Sequence, residues 1–133
     1  MRKLFLIAAA ISSTVAAVAA AHVYQCCKCR AAAIKDSQPS LYHCPASGNH
    51  AWHRLGEAGE NIHLCGKCRL AVGTRWLPSR YYCPAGGNHA WHLLGQAGRD
   101  QYLCSKCSLR VFLRHAPSMH HCPAGGNHNW SRL

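Results

Sequence analysis

Acidic residues are scarce in this sequence, which has 4 Asp and Glu against 15 Lys and Arg in 133 residues. The full set is Asp36, Glu57, Glu60 and Asp100, and none of them recurs at one place in every copy of the internal repeat described below. Side-chain carboxylates are common general acids and bases in enzymes. Because no carboxylate accompanies the repeated residues, we expect that the chain is not an enzyme.

Sustained helical periodicity is also missing after the first 21 residues. Short runs of β-type residues alternate with Gly and Pro turn signals, so the sequence predicts a small, mostly β fold. In the middle of the chain the predicted strands are 62–65, 69–74, 80–83 and 90–94. Two connections with paired glycines, 55–59 and 94–98, are predicted to be turns. Alternation along the last strand predicts Trp91 on the same side as His89 and Leu94 on the opposite side.

The N-terminal segment has the layout of a secretory signal peptide. A basic start is followed by an apolar run at 4–21 that ends in the small residues Ala19, Ala20 and Ala21. Cleavage would start the mature chain at His22 and leave a secreted or periplasmic protein without stable membrane insertion. A retained membrane anchor is the alternative, because this uncharged run of 18 residues could nearly span a bilayer. No cysteine directly follows the run, so a lipoprotein is not expected.

What the chain does contain is a threefold internal repeat with a period of 39 residues. Each copy reads C-x2-C-x14-C-x5-H, and the predicted repeats cover residues 22–60, 61–99 and 100–133. Other columns vary widely between the copies, so sequence drift has spared the Cys and His columns. The candidate metal ligands are Cys26, Cys29, Cys44 and His50, then Cys65, Cys68, Cys83 and His89, then Cys104, Cys107, Cys122 and His128.

Thiolate and imidazole ligands in fourfold coordination suit Zn²⁺. The C-x2-C pair lets two sulfurs reach one ion across a tight turn, and the later Cys and His complete a tetrahedron with no open catalytic position. A 39-residue unit is near the lower size limit for folding on a hydrophobic core alone, whereas a structural zinc contributes roughly 10–16 kcal/mol in small peptides. The sequence therefore predicts three Zn²⁺ ions, one in each repeat, on which folding depends.

The layout resembles the zinc-ribbon group, in which a CxxC knuckle, a β-hairpin and a second ligand pair surround one zinc. The resemblance covers nearly all of residues 22–133 and implies three tandem zinc-ribbon-like β-hairpin modules after the signal segment. Zinc ribbons usually repeat CxxC in the second half, whereas this chain has C-x5-H. A glycine often follows the second knuckle cysteine, where this chain has Arg30, Arg69 and Ser108. The group is functionally mixed, so the resemblance implies no particular role.

Disulfide bonds are the main alternative to metal, because exported chains often pair their cysteines. Each repeat has 3 recurring cysteines, an odd number, and a disulfide framework gives the recurring histidines no purpose. The tenth cysteine, Cys27, occurs in the first repeat only and is interpreted as a spare thiol. The pattern therefore favours metal binding over disulfides.

Several other residues are open to more than one interpretation. His53 and His92 rival the proposed ligands, but the third repeat has Ser131 at that place, so we interpret them as surface or strand-packing residues. His43 and His121 are not expected to be ligands. The repeated lysines, Lys28, Lys67 and Lys106, either offset thiolate charge near the metal or are solvated. The repeated tryptophans, Trp52, Trp91 and Trp130, are interpreted as core residues.

The charge of the mature part limits its function classes. Residues 22–133 carry 13 Lys and Arg and 4 Asp and Glu, which gives +9, and three Cys₃His zinc sites at −1 each would leave about +6. The first hypothesis is an exported interaction module with structural zinc, whose partner is an unidentified protein or a surface polyanion. Polyanion binding through the basic surface is the second, with nucleic acid a less favoured target because of export. Zinc buffering or delivery is the third. The oligomeric state is left open.

Overall fold

The computed structural model describes residues 21–133. The predicted signal peptide, apart from Ala21, and the alternative of an anchor lie outside this part of the chain. Residues 21–133 are mostly β and contain no helix, and hence none that is long and apolar enough to cross a membrane. The strands are β1 His22–Cys26, β2 Ala32–Lys35, β3 Trp52–Cys65, β4 Ala71–Thr74, β5 Trp91–Cys104, β6 Arg110–Leu113 and β7 Trp130–Arg132.

The seven strands form one curled sheet. It consists of three successive antiparallel units of three strands each, called ladders here, one for each repeat. In the first ladder, β1 lies between β2 and the first half of β3. The second half of β3 lies between β4 and the first half of β5. The second half of β5 lies between β6 and β7. Each long strand therefore belongs to two ladders and joins consecutive repeats.

The glycine-containing connections 55–59 and 94–98 are not turns, so that prediction is wrong. Both lie inside a long strand, in β3 and β5 respectively. Their glycines permit a close approach of two backbone segments: a Cβ on Gly59 would lie 2.5 Å from the backbone nitrogen of Arg75, and Gly98 is equally close to the backbone of the third repeat. The register of each strand shifts there. The glycines thus mark a bulge at which the strand passes from one ladder to the next.

A second irregularity explains why Leu94 is buried. Simple alternation placed it on the face opposite Trp91. In the pairing of β3 with β5 the register passes from Leu93 to Gly95 and skips Leu94, which is therefore the extra residue of a β-bulge. Leu55 is skipped in the same way where β1 pairs with β3. The bulges turn both leucines into the core, where they are 3% and 4% exposed.

The strand predicted at 80–83 is irregular in the structure, so this prediction is also wrong. Tyr82 has a φ of +64°, in the left-handed region, and His43 and His121 have the same angle in the other repeats. A strand residue has a strongly negative φ, so the chain cannot continue as a strand there. Instead the carbonyl of Arg80 accepts a hydrogen bond from the backbone N–H of His89 at 2.6 Å. The segment thus forms the base of the loop that carries the second ligand pair.

The two junctions between repeats have different interiors. The cluster that joins the second and third repeats contains Leu64, Leu94, Tyr102, Val111 and Leu113. The cluster that joins the first and second repeats contains Val23, Leu55 and Val72. At this first junction Gln25, His63 and Thr74 are buried where the second junction has Leu64, Tyr102 and Leu113. The second junction is therefore apolar, whereas the first contains three buried polar side chains.

Candidate metal centres

The structure brings all twelve candidate ligands together as three Cys₃His clusters, one in each repeat. Within each cluster the ligand atoms lie within 4.8 Å of one another. In the second cluster the Sγ atoms of Cys65 and Cys83 are 4.0 Å apart, and the Sγ atom of Cys68 is 3.7 Å from Nδ1 of His89. A Zn–S bond of about 2.3 Å in a tetrahedron gives sulfur separations of about 3.8 Å. The donor set and its spacing therefore fit one tetrahedral metal ion.

Each cluster begins at a turn that holds the C-x2-C pair. Arg69, the residue after the second cysteine, has a φ of +66°, and its backbone N–H donates to the carbonyl of Cys65 at 2.9 Å. Arg30 and Ser108 have φ angles of +70° and +67° at the same place. These residues adopt the left-handed conformation that a glycine would supply more easily. The chain thus forms the knuckle turn without the usual glycine.

Backbone N–H groups surround the first sulfur of the knuckle. The Sγ atom of Cys65 accepts from the N–H groups of Lys67 at 3.4 Å, Cys68 at 3.5 Å and Ala90 at 3.3 Å. Such donors stabilise a thiolate. The fold therefore favours the anionic form that binds a metal.

The second ligand pair sits on a compact loop that a lysine attaches to the knuckle. In the first repeat Nζ of Lys28 donates to the carbonyls of Ser47 at 2.5 Å and Asn49 at 2.8 Å. Lys67 and Lys106 make the corresponding pairs of bonds in the other repeats. All three lysines are exposed to solvent, and the charge of Lys67 also lowers the pKa of His89, so these contacts exclude neither interpretation of the lysines. The repeated lysine therefore fixes the distance between the two halves of the centre.

Each ligand histidine packs against the tryptophan two residues later, as alternation predicted. The rings of His89 and Trp91 stack with centroids 4.6 Å apart, and the other two repeats have centroid distances of 4.7 and 4.6 Å. The indole N–H of Trp91 donates to the carbonyl of Ser79 at 2.9 Å. Trp91 is half-buried. The tryptophan therefore orients the imidazole and covers one side of the centre.

The two cysteines of each knuckle differ in acidity. Burial tends to raise the pKa of Cys26, but hydrogen bonds from backbone N–H groups of the knuckle and from His50 lower this pKa to about 6. The same opposing effects lower the pKa of Cys104 to about 6. Burial and the negative charge of the first thiolate raise the pKa of Cys68 to about 12 and that of Cys107 to about 11. Metal binding must therefore displace a proton from the second cysteine, which makes binding pH-dependent.

The rival histidines lie outside the three clusters. The ring of His53 stacks on Tyr82 of the next repeat with centroids 4.1 Å apart and an interplanar angle of 9°. His92 stacks on His121 of the third repeat at 3.9 Å and 7°. Both histidines therefore contact the following repeat, in the irregular segment that contains Tyr82 or His121. The sequence signal against their being ligands was Ser131, which stands at this place in the third repeat.

The cysteine sulfurs are not paired in disulfides. All ten cysteines fall within the described residues and all are free. In the first cluster the Sγ atoms of Cys26 and Cys44 are 4.0 Å apart, about twice the S–S bond length of ~2.05 Å. Cys27 is half-buried and borders a groove together with Tyr82 and Cys83 of the second repeat. The arrangement of the sulfurs thus agrees with metal binding rather than with the disulfide alternative.

No protein-family model, curated protein or solved structure matches the chain.

Proposed function

We propose that residues 22–133 form three tandem zinc-ribbon-like modules, each folded around one structural Zn²⁺, in an exported protein that acts by binding a partner rather than by catalysis. The observation that carries the proposal is the recurrence of a four-ligand cluster in every repeat. Four protein ligands fill a tetrahedron, as in structural rather than catalytic zinc sites. Export would follow from the predicted signal peptide.

The small interior of each repeat supports a structural role for the metal. The clusters that join neighbouring repeats contain five and three buried hydrophobic residues. Metal binding contributes roughly 10–16 kcal/mol in small zinc-binding peptides, which equals the whole net stability of a typical domain, about 5–15 kcal/mol. The metal is therefore expected to decide whether each repeat folds.

Native mass spectrometry of protein purified from the exported fraction tests this proposal. We expect a mature chain that begins at His22, carries three zinc ions and has no mass deficit from oxidised cysteines. His89→Ala should reduce the count to two. The matched control is His92→Ala, because His92 lies three residues after His89 in the same repeat but stacks on His121 outside the cluster. Metal-free folded protein, or equal zinc loss in both variants, would contradict the proposal.

Polyanion binding is a second candidate, favoured by the unpaired basic residues. Three of the four acids pair with arginine: Glu57 with Arg75, Glu60 with Arg114 and Asp100 with Arg132, at 3.5, 2.8 and 3.2 Å. The repeated lysines bind loop carbonyls. The remaining basic residues form no ion pair within residues 21–133, and they are Arg30, Lys35, Arg54, Arg69, Arg80, Arg99 and Arg110.

Salt dependence distinguishes this second candidate. If the basic surface binds heparin or a comparable polyanion, log Kd should rise steeply with the logarithm of salt concentration. Arg80→Ala should weaken heparin binding, whereas Arg132→Ala, which removes an arginine that already pairs with Asp100, should weaken it less. Heparin affinity that does not change between low and high salt excludes the candidate.

A further inference from the structure

The three metal centres are not equally enclosed. All four ligands are buried in the second cluster, and only Cys107 is half-buried in the third. In the first cluster both Cys29 and His50 are half-buried. Solvent and chelators therefore reach two ligands of the first centre, one of the third and none of the second.

One cause of this difference is the residue that follows the knuckle. In the second repeat Leu70 packs against the buried Cys65, Cys68 and Cys83. The third repeat has Leu109 at that place, whereas the first has Ala31, which is exposed. Alanine lacks the three carbons with which leucine covers the sulfurs. The first centre therefore has less apolar cover on its knuckle side.

The first repeat also differs from the other two, independently of this cover, in the backbone of its ligand loop. Gly86 and Gly125 have φ angles of +105° and +104° in the second and third repeats. The first repeat has Ser47 at this place, with a φ of +115°. A residue with a side chain adopts such an angle only at an energetic cost, on the order of 1–3 kcal/mol. The loop that holds Cys44 and His50 is therefore strained, and opening it relieves the strain.

We propose that the centre formed by Cys26, Cys29, Cys44 and His50 is a metal-exchange site, while the other two centres retain their metal and keep the chain folded. This inference rests on the proposed function, because it presumes that all three clusters hold zinc. The ion leaves as Zn²⁺ without a redox change, and the freed thiolates take up protons from water. The acceptor is any ligand set that binds a soft divalent ion more tightly, such as a chelator or a thiol-rich protein.

Timed chelation of the full mature protein tests the proposal. A Cys27→Ser background removes the one thiol outside the clusters. Zinc-loaded protein receives excess EDTA, native mass spectrometry follows the zinc count, and a short pulse of N-ethylmaleimide labels thiols that have lost their metal. We expect a two-zinc species to accumulate with label on Cys26, Cys29 and Cys44 only.

Variants that give the first repeat the residues of the other two should slow its zinc loss. Ala31→Leu and Ser47→Gly are each expected to slow release from the first centre on the order of 10-fold, the size of effects that residues around metal ligands have on metal affinity. Ala32→Leu and Ala46→Gly are the matched controls, since each introduces the same residue one position away. Gly86→Ser should speed release from the second centre.

The outcomes distinguish failure of the proposed function from failure of the exchange site alone. If the starting protein holds fewer than three zincs, the proposed function fails and the exchange site fails with it. If it holds three and all centres lose metal at one rate, or the second or third centre loses it first, only the exchange site is overturned. Unchanged first-centre kinetics in both Ala31→Leu and Ser47→Gly would also overturn it.

Discussion

At the scale of single residues, the knuckle turns hold residues with side chains in a conformation that favours glycine. A left-handed φ costs a non-glycine residue about 1–2 kcal/mol. Glycine avoids this cost, but it loses more conformational entropy on folding, about 0.5–1 kcal/mol, which offsets part of the gain. Arg69 is exposed, and its backbone has a φ of +66°. Its side chain therefore adds little to balance the strain.

We therefore predict that Arg69→Gly stabilises the zinc-loaded protein by about 1 kcal/mol relative to Arg69→Ala, which keeps the strained φ. Urea unfolding at a buffered free zinc concentration measures the difference. Arg110→Gly serves as the control, because Arg110 is an exposed residue of strand β6, where glycine should destabilise. Equal destabilisation by Arg69→Gly and Arg110→Gly would show that the turn gains nothing from glycine.

The ligand clusters could be predicted from the sequence because each residue of a cluster occupies a column of the repeat. The same columns did not reveal what the repeated lysines do. Lys67 binds the backbone carbonyls of Gly86 and Asn88. Because every residue has a backbone carbonyl, the sequence does not show which ones the lysine binds. The stacks of His53 on Tyr82 and of His92 on His121 were missed for another reason. Each joins different columns of successive repeats, so comparison of equivalent positions cannot reveal the pair.

At the scale of elements, strands that lead into and out of the knuckles could be predicted, whereas the connections could not. The run at 62–65 is the end of β3, and β4 covers Ala71–Thr74 inside the predicted run 69–74. The paired glycines at 55–59 indicate a turn by composition, but here they allow a strand to bulge past Arg75. The run at 80–83 has β-type residues, yet the left-handed Tyr82 prevents a strand. Both errors concern long-range contacts that local composition does not specify.

At the scale of the whole molecule, the long strands make each repeat depend on its neighbours. The second and third repeats each contact the preceding repeat through one set of positions. At these positions the first repeat has small or charged residues. At these places Leu70, Val72 and Thr74 in the second repeat and Leu109, Val111 and Leu113 in the third correspond to Ala31, Ala33 and Lys35 in the first. Residues 22–60 thus lack the larger apolar side chains with which Leu70 and Val72 of the second repeat pack against Val23 and Leu55 of the first.

The unequal junctions give the molecule one weaker connection. His63 is 6% exposed in the first junction, and its Nδ1 lies 3.5 Å from the hydroxyl of Thr74. Burial lowers the pKa of His63 below the usual histidine value of about 6.5, so the ring is neutral in the folded protein at neutral pH. Tyr102 occupies the corresponding place in the second junction. A charged imidazole at this place would have to be buried without a negatively charged partner.

We predict that His63→Tyr stabilises the protein more at acidic than at neutral pH. Below about pH 6.5 the unfolded chain is protonated at His63, whereas the folded chain is not until the pH reaches its lower pKa. The free energy of unfolding of the wild type therefore decreases as the pH is lowered through this range. Above pH 6.5 this contribution to the pH dependence vanishes. Loss of zinc also destabilises the protein in acid, but it affects wild type and variant alike. Urea unfolding of wild type and variant at pH 7.5 and at pH 5.5, with buffered zinc, therefore isolates the effect of His63. If the stability difference between variant and wild type is the same at both pH values, His63 is not buried as a neutral ring.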